Sequence, residues 1–374
     1  MRYIILTLLC CLYILPATSQ CLAPFRDFYN QVYVFDNGVF NQIERFPVKS
    51  YKVSRSGIMA YVDTSGDLKV YSHGTISKIN DELTKISIFH ISAGTPIYAV
   101  TGGLMVYKTN NVVKVLYNDQ FTTLDTFYRY DGLPRASDSL VVWDDGFYKT
   151  SVFYNGTVQV LETNVIRHSK LSDNIFAWVD ADGKFKIFYQ GQVQTLEDYE
   201  PGNYVVGQNM VLYQDKYGRL KYFQNGTLHE TETPMPNKFW AGADFGAYLN
   251  QLNNLVVLYN GDANTVTGYK PVGLKIRGNL MVYSDDAGNF FCCYKGASYR
   301  LENFIPTRYS ADRDILVYPD QTGTLKAFYY GEQIQISDGI ATKFELYNQT
   351  ITYSDEINRT KVWCNKQVFV HGDY

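Results

Sequence analysis

At 374 residues the chain is long enough for two or three ordinary domains or for one ring-shaped β architecture. Aromatics make up 16% of it, with 33 Tyr, against 11 Pro and 19% charged residues, a balance that excludes disorder and suits half-buried strands. The formal charge of -3, with Lys and Asp scattered singly, leaves no basic footprint for nucleic acid.

The chain opens with Met1-Arg2, an apolar run from Ile4 to Leu15, then Pro16 and the small polar stretch Ala17-Thr18-Ser19. This layout predicts a secretory signal peptide over residues 1–20 and one mature domain over residues 21–374. It implies export across the inner membrane, to the periplasm or beyond. Thr18-Ser19-Gln20 is a poor match to the small-residue box that precedes a lipidated cysteine, so simple secretion is the expectation. Tyr-, Asn- and Lys-rich composition with a signal ending in Ser-Gln resembles exported proteins of Bacteroidota.

Residues 31–44 (QVYVFDNGVFNQIE) read as a pair of strands. Units anchored at Tyr61 and Tyr98 follow, with extra residues between Leu116 and Asp138. From there Trp143, Trp178, Tyr213, Tyr248, Tyr283, Tyr318 and Tyr353 recur, each 35 residues after the last. A repeat of that length marks a stack of supersecondary units. Two residues past the anchor stands Asp180, Asp215, Asp285 or Asp320, and five past it Gly183, Gly218, Gly288 or Gly323. An Asp followed three residues later by Gly is turn chemistry, because the carboxylate takes backbone N–H bonds and Gly supplies positive φ. Asn155-Gly156, Asn225-Gly226 and Asn260-Gly261 mark tight hairpins further on.

Each unit parses into four strands, as in 175–180 (IFAWVD), 184–189 (KFKIFY), 192–197 (QVQTLE) and 203–207 (NYVVG). The first is apolar on both faces and must be covered on both. The second carries Lys69, Lys186, Lys221, Lys326 or Lys361 and is placed nearer solvent.

This architecture resembles the β-propeller superfamily, without the Trp-Asp, kelch or Asp-box signatures of its named families. The resemblance implies an all-β fold, a single propeller of eight to ten four-stranded blades with nine as the central value, and first strands innermost. An open β-solenoid is the competing architecture. Residues 31–44 lack a first strand and 350–370 lack a fourth, so the ring is expected to close with strands from both termini. Closure would bring Cys21 and Cys364 within disulfide reach; the alternative is two unpaired thiols, and buried reduced thiols are expected for Cys292 and Cys293.

Candidate chemistry is sparse. Asp180-Ala181-Asp182-Gly183 opens like a calcium loop, but the later bidentate Glu is missing, so no metal or other cofactor is expected. The His residues occupy unrelated repeat positions and no nucleophile or metalloprotease motif occurs. The enzyme question stays open, with a non-enzyme favoured. Departures from the repeat are where function should sit. Residues 117–137 carry Phe121, Tyr128 and Arg135, and residues 231–245 carry Phe239 and Trp240, a set suited to a protein or glycan contact, or else to core beneath long loops. The function expected is a non-enzymatic binding or scaffold module engaging a protein partner through one rim, such as an accessory subunit of an outer-membrane secretion or surface assembly. A glycan-binding propeller and a hydrolase with a site shared among blades are the alternatives.

Overall fold

The computed structural model describes residues 20–79, 98–109, 111–234, 236 and 238–372. The predicted signal peptide lies outside them, apart from Gln20. Among the described residues there are ten antiparallel sheets and no helix. We number the blades in chain order: 22–44, 50–78, 98–125, 135–162, 168–197, 203–234, 238–267, 272–302, 310–340 and 343–370.

Blade 5 shows why the repeat folds this way. Its strands His168–Leu171, Ile175–Val179, Phe185–Tyr189 and Gln192–Glu197 pair in sequence order. Neighbouring side chains on a strand point to opposite faces. On Ile175–Val179, Phe176 and Trp178 therefore pack on Leu140, Val142 and Val152 of blade 4. Ile175, Ala177 and Val179 pack on Val211, Tyr213 and Phe223 of blade 6. A sheet apolar on both faces needs a copy on each side, and successive copies make the ring of blades.

The turn chemistry is as the spacing predicts. Asp180 Oδ1 accepts the backbone N–H groups of Asp182 at 3.0 Å and Lys184 at 2.9 Å. Gly183 leaves the turn at φ +84°. Asp215, Asp285 and Asp320 hold their own turns in the same manner. At the hairpin Asn155-Gly156 both residues have positive φ, 47° and 81°, the backbone of a type I′ turn.

Four features differ from the sequence expectation. There are ten blades, not nine, because the N-terminal segment forms a sheet of its own: Phe25 takes the anchor position, Asp27 the turn and Asn30 (φ 61°) the glycine's place. That sheet has three strands, Leu22–Arg26, Val32–Asp36 and Val39–Glu44, so not every blade is four-stranded. In the nine four-stranded sheets the anchor strand is second, not innermost; Asn203–Val206 pairs with Met210–Gln214 and so leads blade 6. The anchor of blade 3 is Tyr107, since Tyr98 lies on that blade's leading strand, and residues 117–137 hold an ordinary hairpin and two strands instead of an insertion.

No sheet mixes strands from the two ends of the chain. Blade 1 instead lies against blade 10 face to face. Cys21 and Cys364 are disulfide-bonded with Cα atoms 6.0 Å apart, and the His371 ring sits 5.0 Å from Phe25, 4.4 Å from Tyr33 and 5.2 Å from Phe40. The opposite face of blade 1 packs Val32, Val34 and Ile43 on Met59, Tyr61 and Tyr71 of blade 2.

Candidate functional site

In blades 2 to 10 the strand that leads the sheet faces the axis. Leading strands of successive blades touch, as 168–171 with 203–206 and 203–206 with 238–241, and the turns after them meet across the ring. Arg313 of blade 9 bonds Asp138 of blade 4 at 2.9 Å. These blades stand opposite each other in a ring of ten, so the contact can form only over the axis. Arg55 of blade 2 joins the same cluster through Asp138 and through Asp312 at 2.6 Å, with Asp173 of blade 5 at 3.7 Å. One end of the central channel is thus spanned by an ion-pair cluster drawn from four blades. Burial works to lower the Arg55 pKa, but Asp312 and Asp138 outweigh it and raise it. Asp173 is pushed up to about 6, first by burial and then by the Asp138 carboxylate.

Above this cluster the channel wall is built by alternation. On the leading strands of blades 3, 6 and 7 one face is buried against the previous blade, through Tyr98, Tyr204 and Phe239, and the other face is more open. Lys52, Arg135, Lys170 and Lys275 share one repeat position on the open face, and Lys238 and Lys343 another; all six are exposed. Lys52 donates to the Tyr98 carbonyl at 3.2 Å, and Lys170 to that of Tyr204. The ammonium groups of Lys52, Lys170 and Lys275 lie 5.3, 4.5 and 5.3 Å from the ring centres of Tyr98, Tyr204 and Tyr309. A space of about 650 Å³ opens between Arg135, Ser169, Lys170 and Val205 of three successive leading strands.

The lysines on the third strand of the sheets behave oppositely. The Lys186 ammonium lies 2.7 Å from Asp180 in its own turn and 3.2 Å from Glu162 of the preceding blade. Lys69 bridges Asp63 and Glu44, and Lys326 bridges Asp320 and Glu302, in the same way. These lysines are inter-blade clamps, not solvent-facing groups, a correction to the sequence expectation. Burial works to lower their pKa values, but the paired carboxylates raise them; Lys170 and Arg135 are instead lowered, burial being the leading cause for each. Among the described residues no carboxylate lies within ion-pairing distance of Lys52, Arg135, Lys170 or Lys275.

The residues singled out in the sequence do not form one site. Arg135 lies on the leading strand of blade 4, donates to Ser169 Oγ at 2.8 Å and stands over Phe176. Phe239 and Trp240 are on the leading strand of blade 7, Phe239 buried between blades 6 and 7, Trp240 half-buried against the core of blades 7 and 8. Tyr128 is buried in the core of blades 3 and 4, beneath the cleft of about 520 Å³ that Tyr130, Asp144 and His168 also line. Phe121 is on the outer strand of blade 3, exposed and edge-on to Tyr107, away from the channel. In the cleft, both ring nitrogens of His168 are engaged, Nδ1 with Tyr204 Oη at 3.1 Å and Nε2 with Glu200 at 3.0 Å. No group of three or more His, Cys, Asp or Glu able to hold a metal occurs among the described residues. Sequence reading missed Arg55, Asp138, Asp312 and Arg313, which meet only because the ring turns back on itself. The shared position of Lys52, Arg135, Lys170 and Lys275 was open to it, once the leading strands were aligned.

Among solved structures, the chain is similar to the computationally designed Ika8 protein, at 17% identity over 84% of this chain and 95% of that one, with a TM-score of 0.31. It is similar to AztD from Citrobacter koseri at 10% identity, over 86% and 95% of the two chains, TM-score 0.34. PorZ of Porphyromonas gingivalis, titled an essential surface component of the type-IX secretion system, aligns at 11% identity over 95% of this chain and 59% of its own, TM-score 0.29. No curated protein matches in sequence. The model of the 10-bladed beta propeller domain, however, matches residues 16–369, in agreement with the ten sheets, and the chain belongs to that family.

Proposed function

We propose that the chain is a non-enzymatic binding or scaffold module of the cell envelope, exported by its first 20 residues and engaging a protein partner at the open rim of its channel. The observation that carries this reading is where the repeat is broken. Anchors, Asp turns and the Lys clamps recur blade after blade because they hold neighbours together. The leading strands carry no such fixed set: at one equivalent place Arg135, Lys170 and Lys275 stand as exposed cations, while Val205 and Trp240 occupy it in blades 6 and 7. A scaffold has no need of such exposed charge, whereas a binding surface does. An accessory role on an outer-membrane secretion or surface assembly fits an exported ring of this kind.

The same reading takes the ring as closed by its ends, blade 1 against blade 10. Its support is the Cys21–Cys364 bond, the ring contacts of His371 and the Tyr51–Tyr347 hydroxyl contact of 2.8 Å between blades 2 and 10, beside the leading strand that blade 1 lacks. Affinity capture from native envelope membranes tests the function. A stoichiometric envelope protein retained through washing supports it, and a protein recovered alone from both membrane and soluble fractions overturns it.

A further inference from the structure

We propose that the central channel is a receptor for an acidic, extended polypeptide segment of the partner, entering from the end opposite the Arg55 cluster. This rests on the partner-binding reading above and specifies its chemistry. The chain as a whole carries a net charge of -3, yet its leading strands are basic at two repeat positions, through Lys52, Arg135, Lys170 and Lys275 and through Lys238 and Lys343. Asp312 and Glu345 are the acidic exceptions, and Asp312 is already paired with Arg55. On the third strands Lys69, Lys186, Lys221 and Lys326 each meet two carboxylates. Among the described residues no such ion pair forms at Lys52, Arg135, Lys170 or Lys275 of the leading strands. Like charges in a concave wall focus the field and draw an oppositely charged chain inward.

Two observations choose a polypeptide. Of the rings on the leading strands, Tyr98, Tyr204 and Phe239 are buried, with lysines lying over the first two, and Trp240 is half-buried against the core of blades 7 and 8. What is exposed is charge, and with it the outward edge of each leading strand, which pairs with its own sheet on one side only. An extended peptide can bond such an edge through its main chain while Glu or Asp side chains meet the ammonium groups. The closed far end, spanned by Arg55, Asp138, Asp312 and Arg313, fits a segment that inserts and stops.

The test uses the full mature chain and a fluorescein-labelled peptide of alternating Glu and Thr, followed by anisotropy at low and high salt. Wild type should bind, with affinity falling as salt rises. The Lys52→Gln/Lys170→Gln/Lys275→Gln variant should bind about tenfold more weakly or worse, since several exposed ion pairs are lost together. Lys295→Gln/Lys366→Gln, on exposed hairpins between third and fourth strands, should bind like wild type, and melting curves should confirm that both variants fold. Equal binding by the channel variant overturns the proposal, as does tighter binding of polygalacturonate, an acidic glycan, that the peptide fails to displace. Membrane capture repeated with the channel variant separates the two readings. A partner retained equally by wild type and variant would sink the channel assignment alone, whereas no partner for wild type would sink the partner-binding reading itself.

Discussion

Replacing Cys21 and Cys364 together by Ser should cost the protein more than any other paired change of small side chains, because the bond joins positions 343 residues apart. In the unfolded chain it turns nearly the whole polypeptide into one loop. The loop-entropy relation gives about 6 kcal/mol for a loop of that size, an upper value, and removal of native disulfides more commonly costs about 2–5 kcal/mol. The unfolding entropy of a chain this long is about 0.7 kcal/mol per kelvin, so the loss corresponds to a Tm lower by about 3–8 °C. Calorimetry of the double variant beside Cys292→Ala measures it. Cys292 is a buried free thiol between strands, so its removal controls for the loss of a sulfur from the core. The C-terminal blade should also become sensitive to protease ahead of the rest, since blade 1 and blade 10 share no backbone pairing. A double variant that melts with wild type, with no early cleavage at either end, would refute the argument that the bond holds the two terminal sheets together.

Lys186→Met keeps the stem but removes the charge, leaving Asp180 and Glu162 facing each other between blades 4 and 5; a loss of about 1–3 kcal/mol in urea unfolding is expected, with exposed Lys184→Met near zero. Gly207→Ala should destabilise by about 1–3 kcal/mol, because a Cβ there meets the Gly242 carbonyl of the next blade, and its melting temperature checks this. Asp173 holds its proton more tightly in the fold than in the unfolded chain, so its contribution is present below about pH 4 and is lost as pH rises through about 6. Asp173→Asn should therefore melt higher than wild type at pH 7.5 and level with it at pH 4, and a variant less stable at pH 7.5 would show that its bond to Arg55 outweighs the repulsion from Asp138.

The repeat was legible because the same packing problem recurs: a large ring at Trp143 through Tyr353 meets the preceding blade at a fixed point, and the Asp turn after it needs the same two residues. Blade 1 was harder to read, as Phe25 and Asn30 meet the same demands with different side chains. The phase of the repeat was misread because a strand pattern does not say which neighbour it pairs with. Loop length does say it: residues 207–209 join two paired strands, while the longer 198–202 passes between sheets. Tyr98 passed for an anchor because the leading strands carry their own aromatic, also present at Tyr204, Phe239 and Phe344. Its place was decided by pairing with Tyr107. The extra residues of the early units fall between Tyr61 and Tyr107, within a stretch lying outside the described residues. Contacts across the ring such as Arg313 with Asp138 have no local signature at all, since they join residues 175 apart.

Position within the blade, rather than residue type, decides what a lysine does in this protein. At the third strand the ammonium of Lys186 faces inward between two sheets, where burial alone would lower its pKa. The fold answers with Asp180, already fixed by its own turn, and Glu162 from the neighbour, so the charge becomes a link between blades. The Asp turn and the clamp are therefore one device: the carboxylate's first oxygen takes backbone N–H groups and its second takes the lysine. At the leading strand the same residue type has no turn beside it to supply an acid and no neighbouring sheet end within reach. Lys170 settles on a carbonyl and a ring face, which orient its charge without neutralising it. A ring built only for stability would gain by replacing such lysines with apolar residues, as Val205 does at the equivalent place in the next blade. Their retention as cations facing open space is thus a cost to the fold that a negatively charged occupant of the channel would relieve.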